Sequence, residues 1–439
     1  MYAAGSIADT VKRILLVMMQ PPGSSGVQGL IYNKILPYLE TSDWEFHFAG
    51  PSPELTSILA EEVDCPPSRL HYTNSVSWSL RFSVLKNRHR QGTLPFYLYG
   101  LLQLVARSVE RLVRHDSRQY LISGLMATIR QAEQQWNFDL IAGKSPDFAI
   151  LEAVADQANS LNKPLVAMVD DPYGKRDGAI FLPYEMPKQK RILDQCCGAI
   201  FMSPLTLQRY VECGLVGREK AYAFTDSFPS YPHLYQGGLA LSWADSGKSQ
   251  QAILHLVHLG MLPEWRPIEA LLEALEQVSL PVLIDVYGYV YPEARQSIRS
   301  SPRLRSQIRC NKPVSYYESH HIAEGSSVML VIIGPRHLDN QPSKFFEYLG
   351  HRKPILVLGP IGNPIQAIVN RLGIGIYCDI LDSAAIAAAI TRLVDDRGDF
   401  VWAYEINKKA IDVYSAPQVA RLWVETLQIM LDTTTKKTF

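Results

Sequence analysis

The segment Asp339-Asn340-Gln341-Pro342-Ser343-Lys344-Phe345-Phe346-Glu347-Tyr348-Leu349-Gly350 brings a lysine, a hydroxyl and two carboxylates into twelve residues. Proline at a first helical position, with Asn340 behind it as a cap, predicts that a helix starts here. A helix start offers unpaired backbone N–H groups and the positive end of the helix dipole. With the charge of Lys344 added, the segment suits a diphosphate. Glu347 follows Lys344 by three residues and Ser343 by four, so the three share a face from which the carboxylate can accept both hydroxyls of a ribose. The same spacing also suits a capped amphipathic helix with a solvated Lys–Glu pair.

Three further segments carry chemistry-bearing residues. In His258-Leu259-Gly260-Met261-Leu262-Pro263-Glu264-Trp265-Arg266 a turn glycine ends an apolar run, and Arg266 follows with a guanidinium that matches phosphate in bidentate fashion. Alone, it reads equally as a surface arginine at a helix start. Gly23-Ser24-Ser25-Gly26 follows the apolar run 14–19, and its small residues let a ligand approach the backbone. It is neither a Walker loop nor Gly-x-Gly-x-x-Gly, and a tight strand-to-helix turn explains it as well. Asp170-Asp171-Pro172-Tyr173 closes the run 165–169, where a carboxylate can hydrogen-bond a ligand beyond the strand's carboxyl end, although paired aspartates also cap loops. No metal is expected: the eleven histidines contain no His-x-x-x-His, and the chain has no Asp-x-Asp.

The elements that must position these residues show in the hydrophobic pattern. Short runs rich in Val and Ile alternate with helical patterns, which predicts βαβ units and parallel sheets. Strands are expected over 13–19, 45–49, 139–142, 165–169, 199–202 and 221–224, then over 254–259, 282–287, 328–333, 354–358 and 374–378. The small, polar stretch 236–250 reads as a linker. This divides the chain into a first domain over 1–235, a second domain over 251–398, and a C-terminal helix over 399–439 that crosses back to the first domain. A length of 439 residues suits two α/β domains. Lys+Arg and Asp+Glu balance at 43 each, which argues against a nucleic-acid partner.

Here a resemblance becomes specific. Pro-Ser-Lys-Phe-Phe-Glu-Tyr-Leu followed by Lys-Pro-Ile-Leu is similar to the donor-site helix of retaining GT-B glycosyltransferases of the group 1 type. That family pairs two carboxylates eight positions apart, and Asp339 and Glu347 stand at that spacing, with Asp in place of the family's first Glu. The resemblance implies two doubly wound Rossmann-like domains facing a central cleft, and transfer of a sugar from a nucleoside diphosphate to an acceptor hydroxyl with retention and without a metal or other cofactor. By the same resemblance Arg266 and Lys344 meet the donor phosphates, and Glu347, Ser343, Pro342 and Gly260 hold the donor. Asp339 sits near the transferred sugar. Gly23, Ser24, Ser25, Gly26, Asp170 and Asp171 face a glycan or lipid-linked acceptor. A GT-B sugar-nucleotide epimerase and an inactive sugar-nucleotide-binding protein stand as alternatives.

Location is read from two further features. The first ten residues lack a signal peptide's basic and apolar regions, the run 14–19 is too short to span a bilayer, and the six cysteines form no Cys-x-x-Cys, so a cytoplasmic protein is expected. The segment 78–118 carries eight Lys or Arg against Glu110 and Asp116, interleaved with aromatic and aliphatic residues. That pattern suits contact with an anionic membrane at the inner face of the cell membrane, or an ordinary core helix with a solvated basic face.

Overall fold

The computed structural model describes residues 11–24, 27–39, 43–56, 65–89, 93–112, 117–145, 148–170, 186–229 and 253–437. Ser25, Gly26, Asp171 and the 236–250 linker lie outside them.

The Val/Ile-rich runs form two parallel sheets. The first contains β1 (Lys12–Val17), β2 (Trp44–Pro51), β3 (Leu70–Thr73), β4 (Leu140–Lys144), β5 (Leu165–Val169), β6 (Gly198–Phe201) and β7 (Ala221–Ala223), in the order β3-β2-β1-β4-β5-β6-β7. The second contains β8 (Leu254–Leu259), β9 (Val282–Tyr287), β10 (Ile308–Asn311), β11 (Val328–Ile332), β12 (Ile355–Gly359) and β13 (Gly375–Asp379), in the order β10-β9-β8-β11-β12-β13. Central strands covered by helices on both faces read as near-continuous apolar runs rather than alternating ones. Ile14, Leu15, Leu16 and Val17 of β1 are accordingly all buried, as are Val328 through Ile332 of β11. Each such side chain contributes about 1.5–3 kcal/mol by leaving water.

In both sheets the chain steps outward from its first strand and then returns to the other side of it. Leu16 of β1 pairs with Phe48 of β2 on one side and with Ala142 of β4 on the other. Val257 of β8 pairs with Asp285 of β9 on one side and with Met329 of β11 on the other. The strand order therefore reverses beside β1 and beside β8. The helices that follow diverge there, leaving a crevice beyond the carboxyl ends of the strands. The loops after β1 and β4, and those after β8 and β11, are the places where each sheet can receive a ligand.

β3 and β10 are strands that the hydrophobic pattern does not announce. Both are edge strands, and an edge pairs on one side only. Leu-His-Tyr-Thr and Ile-Arg-Cys-Asn are therefore free to be polar and partly exposed.

The chain divides into two compact units, one running to Phe224 and including Val419 onward, the other spanning Thr225–Gln418. The stretch from 399 is not one helix. It forms Arg397–Ile406, Lys408–Asp412 and Ala416–Lys437, and a bridge between Phe228 and Ser415 pins the break before the last of them. The first two helices stay with the second unit, where the Tyr404 hydroxyl donates to the Lys353 carbonyl at 2.7 Å. The last belongs to the first unit. Its Trp423 stacks on Phe224 at 4.9 Å and meets Tyr32 edge-on at 6.0 Å.

Candidate functional site

The second unit brings its chemistry-bearing residues together at the carboxyl ends of β8 and β11. The helix Ser343–Gly350 leads away from the loop after β11. Phe345, Phe346 and Leu349 anchor its inner face in the core with Val257, Val331 and Ile355. The Tyr348 hydroxyl accepts a hydrogen bond from the Leu259 N–H at 3.0 Å, which ties the helix to the end of β8. Gly334, just past β11, packs so closely on the loop after β8 that a Cβ there would lie 2.2 Å from the Trp265 carbonyl oxygen. Gly260 takes φ +151°, a conformation that disfavours any side chain, and so presents bare backbone at the strand's end.

The helix start differs in one respect from the sequence expectation. Pro342 is itself the cap position, at φ −61° and ψ 131°, and the helix begins at Ser343. Asn340 does not cap it; the Asn340 N–H donates to the His337 carbonyl instead. Pro342 supplies no side-chain cap, so the first turn, whose Phe345 N–H donates to the Pro342 carbonyl at 3.0 Å, still presents the dipole end of a helix to a ligand.

Lys344 and Glu347 form an ion pair, which the amphipathic-helix reading expected to be solvated. The ammonium lies 2.9 Å from Glu347 Oε2, with the carboxylate only 4% exposed and the lysine 31% exposed. The ammonium also lies 5.7 Å from the centre of the Tyr316 ring. Behind the pair, His320 Nδ1 and His351 Nε2 stand 3.0 Å apart, and Tyr316 meets His320 edge-on. Burial, then the neighbouring His320 and the Lys353 and Lys344 cations, push the His351 pKa down to about 3 against the pull of Glu347. Asp339 is buried in the loop before the helix.

Arg266 donates to the Met261 carbonyl at 3.2 Å and is half-buried at the turn after β8. Burial lowers its pKa, yet a guanidinium stays charged. Arg266 and Lys344 both bear on His258, which is buried at the end of β8 with Nδ1 3.0 Å from the Leu330 carbonyl. A carbonyl only accepts, so Nδ1 carries the proton and Nε2 a lone pair. Burial, opposed by the Leu330 carbonyl and reinforced by Arg266 and Lys344, pushes the His258 pKa down to about 4.

These two imidazoles predict acid sensitivity. Their folded pKa values lie below the ordinary 6.5, so the stability they contribute is complete above pH 6.5 and is lost as pH falls toward 4 for His258 and 3 for His351. At about 1.4 kcal/mol per pH unit, His258 alone accounts for on the order of 3 kcal/mol by pH 4. Thermal melting from pH 7 to 4 is expected to fall steeply below 6.5, and less steeply in His258→Gln. Parallel curves for the two proteins would remove His258 from this account.

Asn363 holds the Asp339 loop and escaped the sequence reading. Its Oδ1 caps the helix Pro364–Leu372 by accepting from the Ile365 N–H at 2.9 Å, while Nδ2 reaches the carbonyls of Leu338 and Asn340 at 2.9 and 2.8 Å. The Asn-Pro pair was a legible helix start. Its clasp on a loop some twenty residues earlier was not. Asn363→Ala is expected to cost about 1–3 kcal/mol of stability through the lost cap and the unpaired carbonyls. Asn363→Asp keeps the cap acceptor but turns a carboxylate oxygen toward the carbonyls. At a position only 1% exposed, that unpaired charge should cost at least as much stability as the alanine variant and loosen the loop, which a weaker ligand affinity would register. Native affinity in a folded Asn363→Asp protein would mean that the clasp does not matter to the site.

In the first unit, Gly23 adopts φ +92° and Ser24 is fully buried in the loop after β1. A Cβ at Gly29 would sit 2.7 Å from the Pro21 carbonyl oxygen, so this loop and the helix Val27–Leu39 pack backbone to backbone. Asp170 does not stand open beyond β5. Its Oδ1 is 2.7 Å from the ammonium of Lys144, a lysine only 1% exposed at the end of β4, and its Oδ2 accepts from Gln28 Nε2 at 2.9 Å. The Asp170 N–H donates to Ser145 Oγ at 3.0 Å. Lys144 was invisible in the sequence because its partner lies 26 residues away on the neighbouring strand. A buried lysine is tolerated only with such a partner.

No family model matches the chain, and no curated protein matches it in sequence. Solved structures do resemble it in fold. HepE of Anabaena, in complex with UDP, is 14% identical, with a TM-score of 0.59 over 95% of this chain and 100% of that one. Sucrose-phosphate synthase from Thermosynechococcus elongatus is 11% identical, with a TM-score of 0.61 over 96% and 99%. The UDP-GlcNAc 2-epimerase from Neisseria meningitidis, bound to UDP-GlcNAc, is 11% identical, with a TM-score of 0.51 over 95% and 99%. The two doubly wound units of this chain thus have the GT-B fold, shared by transferases and epimerases of nucleotide sugars.

Proposed function

We propose that the protein is a glycosyltransferase that moves a hexose-type sugar from a nucleoside diphosphate to an acceptor hydroxyl, with retention of configuration. The observation that carries this reading is the Lys344–Glu347 pair on an uncapped helix start, beside Gly260 and Arg266 at the reversal point of the second sheet. In this reading Glu347 accepts the ribose hydroxyls and Ser343, Pro342 and Gly260 line the diphosphate. Arg266, Lys344 and the helix start stabilise charge gathering on the departing diphosphate, without a metal ion or other cofactor. Asp339 lies beside the sugar. The acceptor hydroxyl attacks from the leaving-group face as the bond from C1 to the phosphate oxygen breaks, and its proton passes to a phosphate oxygen, giving the glycoside and a nucleoside diphosphate. Asp171 and the 23–26 loop receive the acceptor, with Asp170 holding its strand end through Lys144. The acceptor is a glycan or a lipid-linked molecule met on the cytoplasmic side.

The test is mass spectrometry of a nucleotide-sugar panel, with and without acceptors. Release of a nucleoside diphosphate with a transferred or hydrolysed sugar supports the proposal. An isomerised nucleotide sugar would instead support an epimerase, a reading that the Neisseria likeness keeps in view. Binding without turnover would point to a sugar-nucleotide-binding protein.

A further inference from the structure

Residues 78–112 form two packed helices, Trp78–Arg88 and Leu94–Leu112. On the side of the second helix that meets the first, Lys86 lies 4.9 Å from the Phe96 ring centre, His89 stacks on Tyr99 at 5.4 Å, and Glu110 accepts from the Ser79 N–H and hydroxyl at 3.1 and 2.6 Å. The opposite side is apolar and uncovered. Leu94, Leu98, Leu101, Leu104, Val105 and Val109 recur at helical three-to-four spacing and are each 51–81% exposed. At 1.5 Å per residue this stripe runs for about 22 Å. Trp78 on the partner helix is exposed as well.

We propose that this stripe is a lipid-docking face that lays the helix Leu94–Leu112 into the surface of an anionic bilayer. A contiguous apolar stripe on a protein otherwise neutral and mixed in charge marks an interaction site rather than ordinary surface. Charge selects its occupant. The segment 78–118 carries eight Lys or Arg against two acids in a chain of zero net charge, and one of those acids, Glu110, is turned inward to Ser79. A second copy of the chain would bring the same excess of positive charge against itself, which opposes pairing. Anionic headgroups complement it, with the apolar stripe entering the acyl boundary and the basic residues staying at headgroup level. No described helix is long and apolar enough to cross a membrane, so the contact is with one leaflet. The proposal does not rest on the donor site, and its test needs no nucleotide sugar.

The full chain is floated with vesicles of phosphatidylcholine alone and of phosphatidylcholine with phosphatidylglycerol, at low and high salt, and its mass in solution is measured without lipid. Binding to the anionic vesicles only, weakened by salt, is expected. Leu98→Glu/Leu101→Glu should reduce binding at least about tenfold with an unchanged melting temperature, because both positions are already in water. Arg107→Glu/Arg111→Glu should weaken it severalfold and flatten the salt dependence. A wild-type protein left unbound by anionic vesicles at low salt overturns the proposal. So does a wild-type dimer that Leu98→Glu/Leu101→Glu converts to a monomer, which would assign the stripe to a second copy.

Discussion

Lys344→Ala and Arg266→Ala are each expected to lower turnover by about a hundred- to a thousandfold while weakening donor binding far less. The reason is the timing of charge. In the bound donor the diphosphate is already anionic, and each cation binds it. As the bond to the sugar breaks, further negative charge gathers on the leaving oxygen, so an adjacent cation is worth more in the transition state than in the ground state. Arg266 and Lys344 both lower the pKa of the same buried imidazole, His258, so their fields overlap. Their losses should accordingly not add in the double variant. Lys344→Ala has a side effect that must be separated. It strips the partner from Glu347, whose side chain is only 4% exposed, and an unpaired buried carboxylate is destabilising. Thermal melting separates the two: a folding defect lowers the melting temperature of Lys344→Ala, whereas lost turnover in a protein folded at the assay temperature belongs to catalysis. Steady-state rates with single-turnover and binding measurements decide the matter. Variants that raise KM and leave kcat intact would show uniform binding of the donor and remove leaving-group stabilisation from the mechanism.

The second large effect is on affinity. Glu347→Ala is expected to weaken nucleoside diphosphate binding by about a hundredfold or more, from two hydrogen bonds to a charged acceptor at roughly 1.5–3 kcal/mol each. The carboxylate is nearly buried and already oriented by Lys344 at 2.9 Å, so little ordering is left for the ligand to impose. Affinity should depend on the sugar ring of the nucleoside: a 2′-deoxy nucleotide should bind the native protein more weakly and lose less than the ribonucleotide in the variant, because only its 3′-hydroxyl bond remains to be lost. The fold is expected to persist, since Phe345, Phe346 and Leu349 keep the helix anchored. Calorimetric titration of both nucleotides into both proteins completes the cycle. Equal affinity of the native and alanine proteins for the ribonucleotide would take Glu347 out of the site.

Much of the scaffold was legible in the residues alone. The eleven strands that the hydrophobic pattern announces include every interior strand, because a strand covered on both faces is largely apolar. The pairing of Lys344 with Glu347 was legible for an equally local reason: three residues along a helix is one turn, and such neighbours face each other whatever the rest of the chain does. The edge strands β3 and β10 were not, since one open side releases them from the apolar rule. The cap at Asn340 was expected and not made, because Asn363 and the Leu338 to Asn340 carbonyls bind that loop in another conformation.

What one element presents to its immediate neighbours was thus determined by sequence: apolar runs, a helix start, a face carrying a lysine and a glutamate. Tertiary structure alone decided which distant groups meet. It set Tyr348 against Leu259 and closed Gly334 on Trp265. It turned Lys144 inward onto Asp170, so that a carboxylate read as open to an acceptor is instead held within its own sheet. It also packed one side of the helix Leu94–Leu112 and left the apolar side bare. Spacing says that a helix has two faces. Which of them is buried depends on the free energy of packing against surfaces that come from elsewhere in the chain.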